Sequence, residues 1–306
     1  MQNKNIKNKI FRKIISRNVL VPLDVPILKR KSYIDNYLKI TKNSGRLMLF
    51  AGDQKIEHLN DDFYGENISE EDASPEHLFK IASKAKIGVF ATQLGLISRY
   101  GMDYKSIPYL VKLNGKTNLV RKEQEDPISR QFTEIEDVIN FKKQNKLNIL
   151  GVGYTIYLGS EYEAEMLVEA SNIISDAHQN GLIVVLWIYP RGKAIKVEKD
   201  VHLISGATGV ASCLGADFVK VIYPDLEGEP SPEMIQEIIK ASGRTKVVFS
   251  GGSSLSSKMF LKRLDYQIQN GAMGSATGRN IHQKSLKDAV EMCNDIYSMV
   301  VEGKSI

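Results

Sequence analysis

Eight short runs rich in β-branched, leucine and aromatic residues recur along the chain, at 46–53, 87–93, 109–114, 147–154, 182–189, 216–224, 246–250 and 272–276. Between most of them lie segments whose apolar residues repeat at helical spacing, such as Leu78, Ile81, Ala82 and Ala85, or Met166, Leu167, Ala170, Ile173, Ile174 and Ala177. Caps mark their starts: Ser74 with Pro75, the Ser160 and Glu163 capping box, and Ser231 with Pro232. Such residues satisfy the first turn's free N–H groups or preset its backbone angles. Near-continuous apolar strands are covered on both faces, the condition of a parallel sheet wrapped by helices. The pattern predicts an α/β chain, a (β/α)8 TIM barrel with an N-terminal helical arm. Its expected divisions are 1–44, an arm and capping helix, and 45–306, a single catalytic barrel domain. A doubly wound open sheet is the alternative, and the glycine-rich turn that marks it is missing after the first run.

Composition narrows the partners. The 306 residues are 42% hydrophobic and 25% charged with a formal net charge of +5, too mild and too spread to argue for nucleic acid. Lys4, Lys7, Lys9, Arg12, Lys13 and Arg17 precede the first acidic residue, Asp24, and Ile6, Ile10, Phe11, Ile14 and Ile15 run between them at roughly helical spacing. This basic amphipathic segment reads as a helix packed on the body, because no long apolar stretch or cleavage site follows it. No apolar run approaches the length of a membrane span, so no membrane partner is expected. Cys213 and Cys293 have no metal-ligand spacing and fit a reduced, cytoplasmic compartment.

Active sites of such barrels lie at the C-terminal ends of the strands. Those ends carry Asp53, Lys112, Asn114, Trp187, Tyr189 and Lys220. Lys220 interrupts an otherwise apolar strand, and a buried ammonium is either paired with a carboxylate or driven toward its neutral form. An ordinary lysine is only about 0.1% neutral near pH 7.4. An apolar strand and a nearby cation such as Lys112 lower that barrier, and a neutral lysine forms Schiff bases with carbonyl substrates. The competing reading is a strand-end lysine whose ammonium reaches water or a carboxylate. The seventh and eighth runs end in Ser250, Gly251, Gly252, Ser253 and in Ser275, Ala276, Thr277, Gly278, Arg279, Asn280. Glycines admit an anion close to backbone N–H groups, hydroxyls donate further bonds, and Arg279 offers a bidentate charge. A phosphorylated substrate follows, and Schiff-base chemistry on a sugar phosphate is the leading reading. His58, His77, His178, His202 and His282 lack paired spacing, so neither a metal nor another cofactor is expected; Asp53, Glu57 and His58 form the one mixed group.

The segments Asp53-Gln54-Lys55-Ile56-Glu57-His58, Val111-Lys112-Leu113-Asn114-Gly115-Lys116-Thr117, Gly153-Tyr154-Thr155-Ile156-Tyr157, Trp187-Ile188-Tyr189-Pro190-Arg191-Gly192, Ser250-Gly251-Gly252 and Gly278-Arg279-Asn280, with Lys220 in its strand, resemble the archaeal-type class I fructose-bisphosphate aldolases. The resemblance runs from about Asp53 to Gln283. It implies a metal-independent lyase of the DeoC/fructose-bisphosphate aldolase superfamily, cleaving fructose 1,6-bisphosphate to dihydroxyacetone phosphate and glyceraldehyde 3-phosphate in glycolysis or gluconeogenesis. By the same matching Lys220 is the Schiff-base residue, Tyr189 the general acid/base and Asp53 a polar partner of the intermediate. Trp187, Lys112, Arg191, Ser250, Gly251, Gly252, Gly278 and Arg279 form the expected substrate-binding set, and a homo-oligomer is implied. Amino-heptulosonate synthase-like or phospho-sugar thiolase-like chemistry, or a non-catalytic sugar-phosphate-binding barrel, are the alternatives. Members often carry Asp-His-Gly where this chain has Asp53-Gln54-Lys55, and the 54–75 connection is long and acidic for the family.

Overall fold

Eight parallel strands form at the apolar runs: β1 Leu47–Ala51, β2 Val89–Gln93, β3 Tyr109–Lys112, β4 Ile149–Leu158, β5 Ile183–Pro190, β6 Phe218–Val221, β7 Lys246–Ser250 and β8 Gly274–Thr277. They pair in chain order, and β8 returns to β1 through Leu47↔Gly274 to Phe50↔Thr277, so the sheet closes. Closure removes the open-sheet alternative. The structure, a computed structural model, describes residues 19–120, 126–225 and 228–305. The basic segment at residues 4–17 lies outside the described residues.

Alternation sorts the strand side chains into two cores. Met48 and Phe50 of β1 and Val184, Leu186 and Ile188 of β5 face the helices, whereas Leu47, Leu49 and Ala51, and Ile183, Val185 and Trp187, fill the barrel. Phe218 belongs to the interior set and Val219 and Val221 to the outer one, which puts Lys220 on the inward face.

The surrounding helices are α1 Arg30–Ile40, α2 Gln54–Glu57, α3 Glu76–Lys84, α4 Leu94–Tyr100, α5 Ile135–Asn145, α6 Glu163–Gln179, α7 Val201–Leu214, α8 Pro232–Ala241, α9 Ser257–Gln269, α10 Arg279–His282 and α11 Leu286–Val300. Ser231 caps α8 by accepting from Met234 N, with Pro232 in the first turn, as its sequence predicts. Two caps differ, by one and by two residues. Pro75 is the N-cap of α3 rather than its first helical residue, and Tyr162 rather than Ser160 is the N-cap of α6. Ser160 Oγ still accepts from Tyr162 N, and Glu163 accepts from Gly159 N. The helix α4 has no cap residue and a glycine inside it, and periodicity did not single it out.

The N-terminal end of the barrel is shut by α1. Tyr33, Tyr37 and Ile40 join the interior core, Tyr37 stacks on Phe218, and Asn36 Nδ2 donates to Gly181 O at 2.8 Å. Beneath them Tyr33 Oη donates to Asp217, and buried His178 sits between Asp24 (Nδ1 to Oδ2, 2.7 Å) and Asp217 (Nε2 to Oδ2, 3.3 Å). Burial alone lowers the imidazole's affinity for a proton, but the two carboxylates outweigh it and push the pKa up to about 9.

Gly153 of β4 makes room for Trp187: a Cβ there would lie 2.3 Å from the indole Cζ3. Gly153→Ala is expected to destabilise the protein by about 1–3 kcal/mol, read by denaturant unfolding, and to shift the emission of the chain's one tryptophan. The His178 cluster predicts a pH dependence of definite sign. Its folded-state pKa lies above the ordinary 6.5, so its contribution to stability is complete below about pH 6.5 and is lost as pH rises through about 9. Melting temperature measured from pH 6 to 10 is expected to fall by a few degrees more for the native chain than for His178→Gln; equal slopes contradict the assignment.

Candidate active site

A cavity of about 410 Å³ opens at the C-terminal ends of the strands. Asp53, Trp187, Tyr189, Arg191, Lys220, Ser250, Gly251, Gly252, Gly278 and Arg279 all line it, so ten of the eleven residues expected from sequence converge there. A larger groove of about 830 Å³ runs along the outside between α6 and the segment before α5. Its lining, including Arg130, Glu165 and Glu169, contains no strand-end residue.

Lys220 is 4% exposed, pairs in register with Trp187, and places its Nζ 5.4 Å from the indole ring centre. Burial lowers its pKa; the carboxylates of Asp53 and Glu57 work against that shift, and the Arg279 charge adds to it. Tyr189 lies two residues beyond Trp187 on the same face and packs against Tyr157, ring centres 6.4 Å apart. Burial and the nearby Glu57 and Asp53 carboxylates raise its pKa, so the phenol keeps its proton. Asp53 is the N-cap of α2 and 4% exposed, and its Oδ1 has no hydrogen-bond partner among the described residues. The indole Nε1 of Trp187 is likewise buried and unpaired. A buried acceptor and a buried donor therefore face the lysine with capacity for a polar ligand.

Lys112 is the exception. Its Nζ lies 5.5 Å from the same indole ring, but it donates to Asn114 O at 2.7 Å and Asn114 Oδ1 at 2.8 Å, and it does not line the cavity. The expectation that it binds substrate is not met by this geometry. Burial lowers its pKa, opposed by Asp53 and Glu57 and reinforced by Lys220. Its site is behind the indole because its strand ends early, and Asn114, held to Thr155 O and Ser129 O, folds back over it.

The end of the pocket expected to receive an anion is built by the loops after β7 and β8. Gly252 takes φ +69°, a left-handed conformation that suits glycine, and the N–H groups of Gly252 and Ser253 meet no protein acceptor among the described residues. Gly251 N is occupied by Ala276 O. Asn280 fastens the two loops together, its Nδ2 donating to Gly251 O and Ser253 O and its Oδ1 accepting from Leu255 N. The departure Gln54 packs against the same place: a Cβ on Gly278 would lie 2.0 Å from Gln54 Oε1, which also faces His282 Nε2 at 3.3 Å.

Several lining residues are not among the site residues expected from sequence: Gln54, Glu57, His58, Glu198, Lys199, Asp225 and Arg263. At the mouth Arg191 forms a bidentate pair with Glu198 at 2.9 and 3.2 Å, while Lys199 and Arg263 share Asp225 at 2.5 and 2.7 Å. The Asp53-x-x-x-Glu57 spacing, one helical turn, was the available signal for a second carboxylate facing the lysine.

Comparison with known proteins gives the family. The chain is 58% identical over 298 residues, covering 97% of it and 95% of the relative, to a Methanocaldococcus jannaschii protein named fructose-bisphosphate aldolase/6-deoxy-5-ketofructose 1-phosphate synthase. A solved structure of fructose-bisphosphate aldolase from Slackia heliotrinireducens superposes with a TM-score of 0.92 at 53% identity, covering 95% of this chain and 92% of that one. An archaeal fructose-1,6-bisphosphate aldolase, solved with its catalytic lysine covalently bound to the carbinolamine intermediate, superposes with a TM-score of 0.75 at 30% identity over 87% and 98% of the two chains. Residues 47–284 match the DeoC/LacD family aldolase profile, and the chain belongs to that family.

Proposed function

We propose that the protein is a metal-independent, Schiff-base aldolase that reversibly cleaves fructose 1,6-bisphosphate to dihydroxyacetone phosphate and glyceraldehyde 3-phosphate, with Lys220 as its nucleophile. The observation that carries this reading is a lysine enclosed on the inward face of the barrel, its pKa lowered by burial, opening onto a pocket lined also by Gly252, Ser253 and Arg279. The names of the similar proteins support the same substrate. The division that goes with this reading is a catalytic barrel, 45–306, preceded by an arm and cap, 1–44. It goes also with a cytoplasmic homo-oligomer, for which the exposed Leu20, Leu23, Ile27 and Leu28 offer apolar surface.

In this mechanism the neutral amine of Lys220 adds to the C2 carbonyl of the open-chain ketose. The carbinolamine loses water and becomes an iminium that draws the electrons of the C3–C4 bond as the C4 hydroxyl gives up its proton. Tyr189, kept protonated by burial and nearby carboxylates, supplies the proton for water loss and takes protons back in turn. The aldehyde phosphate leaves, the enamine is protonated at C3, and hydrolysis frees dihydroxyacetone phosphate and the amine. Asp53 and the indole N–H of Trp187 hold substrate hydroxyls. Gly252, Ser253 and Arg279 receive the phosphate next to the reacting ketone, and Arg191 lies toward the other end.

A second reading has its own support. The three cations at the mouth are matched by three carboxylates, Arg191 by Glu198, Lys199 by Asp225 and Arg263 by Asp225 and Glu229, so a second phosphate is not needed to balance them. A ketose carrying one phosphate then fits as well, in line with the double name of the M. jannaschii relative.

Cleavage of fructose 1,6-bisphosphate beside fructose 1-phosphate separates the two readings. Borohydride reduction during turnover, followed by peptide mass analysis, is expected to place the trapped ketose on Lys220, and Lys220→Ala is expected to abolish both trapping and turnover. Unmodified Lys220 in a turning-over enzyme would falsify the assignment. Tyr189→Phe is expected to lower kcat by about 10²–10⁴-fold while substrate protection of Lys220 persists; a variant with native kcat removes Tyr189 from the mechanism.

A further inference from the structure

The connection between β1 and α3 is fastened to the segment that carries Arg279. Gln283 Nε2 donates to Asp62 O and Ser69 N to Gln283 O, each at 2.9 Å. Asp72 meets His282 Nδ1 at 2.6 Å, Glu71 accepts from Leu286 N at 2.6 Å, and Phe63 stacks on His282 with ring centres 4.7 Å apart. Within this clamp Asp62 Oδ2 lies 3.5 Å from Arg279 Nε and 2.5 Å from His58 Nδ1. Arg279 and His58 line the cavity, whereas Asp62 stands behind them.

The contrast between two arginines of the pocket indicates what Asp62 does. Arg191 commits two nitrogens to Glu198 in a bidentate pair. Arg279 donates no hydrogen bond to the protein among the described residues, and its Nε is buried. Asp62 is near enough to hold the guanidinium by charge, but too far to take its hydrogen bonds. A long arginine side chain carries much rotamer freedom, and a fixed partner charge reduces what must be lost when an anion binds.

We propose that Asp62, itself held by His58, is a positioning residue that fixes Arg279 for recognition of the substrate phosphate, so that the connection serves phosphate binding rather than imine chemistry. This rests on the phosphate reading of the β7 and β8 loops given above. It predicts an effect on affinity for the phosphate, transmitted only through Arg279.

The test compares the full-length native chain, Asp62→Asn, Arg279→Ala and the double variant. The readouts are KM and kcat for fructose 1,6-bisphosphate and the inhibition constant of inorganic phosphate. In Asp62→Asn both KM and the inhibition constant are expected to rise about tenfold, the size of a coupling of about 1.4 kcal/mol, with kcat little changed. In the Arg279→Ala background the same substitution is expected to add nothing. Unchanged phosphate inhibition in Asp62→Asn, an equal rise in both backgrounds, or a fall in kcat and melting temperature without a change in affinity overturns the proposal. His58→Gln leaves the carboxylate in place and serves as the second variant should Asp62→Asn not fold. It is expected to shift the inhibition constant in the same direction by a smaller factor, and no shift overturns the proposal. A native chain that turns over the bisphosphate but is not inhibited by phosphate, with KM unchanged in Arg279→Ala, refutes the phosphate reading and removes the proposal's ground with it. If neither happens, the two failures stay distinct, because Arg279→Ala alone reports on the reading and Asp62→Asn on the inference.

Discussion

Placing the ε-amino group of Lys220 on the inward face of a closed barrel takes it out of water on every side except the mouth. The floor is sealed by Tyr33, Tyr37 and Ile40 of α1, and Phe218 lies below the lysine on the same face. Desolvation penalises the ammonium form, and the carboxylates that could restore it, Asp53 and Glu57, offset only part of that penalty. The same enclosure keeps the Tyr189 phenol protonated. One physical cause thus favours the neutral form of both groups, a free amine and a protonated phenol, at one end of one sheet, through opposite shifts from shared surroundings.

The barrel makes that economy possible because closure converts residue alternation into a division of labour. Outward positions pack helices, inward positions below the strand ends are apolar, and inward positions at the ends carry the chemistry. Trp187 is the hinge between the last two layers. Gly153 leaves space for its ring, Lys112 and Lys220 both approach it, and its Nε1 faces the site unpaired. The end of the pocket proposed for the phosphate is assembled separately, by two loops that Asn280 joins and a connection that brings Asp62 to Arg279.

Much of this was legible because it depends on local pattern. Strand runs, the lysine that interrupts one of them and the glycine and serine loops follow from local apolar pattern and backbone freedom, which neighbouring residues determine. What was not legible depends on distances across the fold. Lys112 has the same phase argument as Lys220, yet its amine turns to Asn114 because β3 ends at Lys112 and the chain folds back. Asp225 and Lys199 come from two different loops and Arg263 from α9, and they meet only at the mouth. The 54–75 connection reads as a polar loop in sequence, since nothing local announces that Asp72 is to meet His282 and Asp62 to meet Arg279.

Burial lowers the pKa of Lys220 and so raises the neutral fraction of its amine. The direct measurement of that shift is the pH dependence of Lys220 acylation by trace acetic anhydride, resolved by peptide mass against the exposed Lys31 of the same chain. The account predicts a titration midpoint for Lys220 clearly below the ordinary 10.5. A midpoint at 10.5 or above contradicts it.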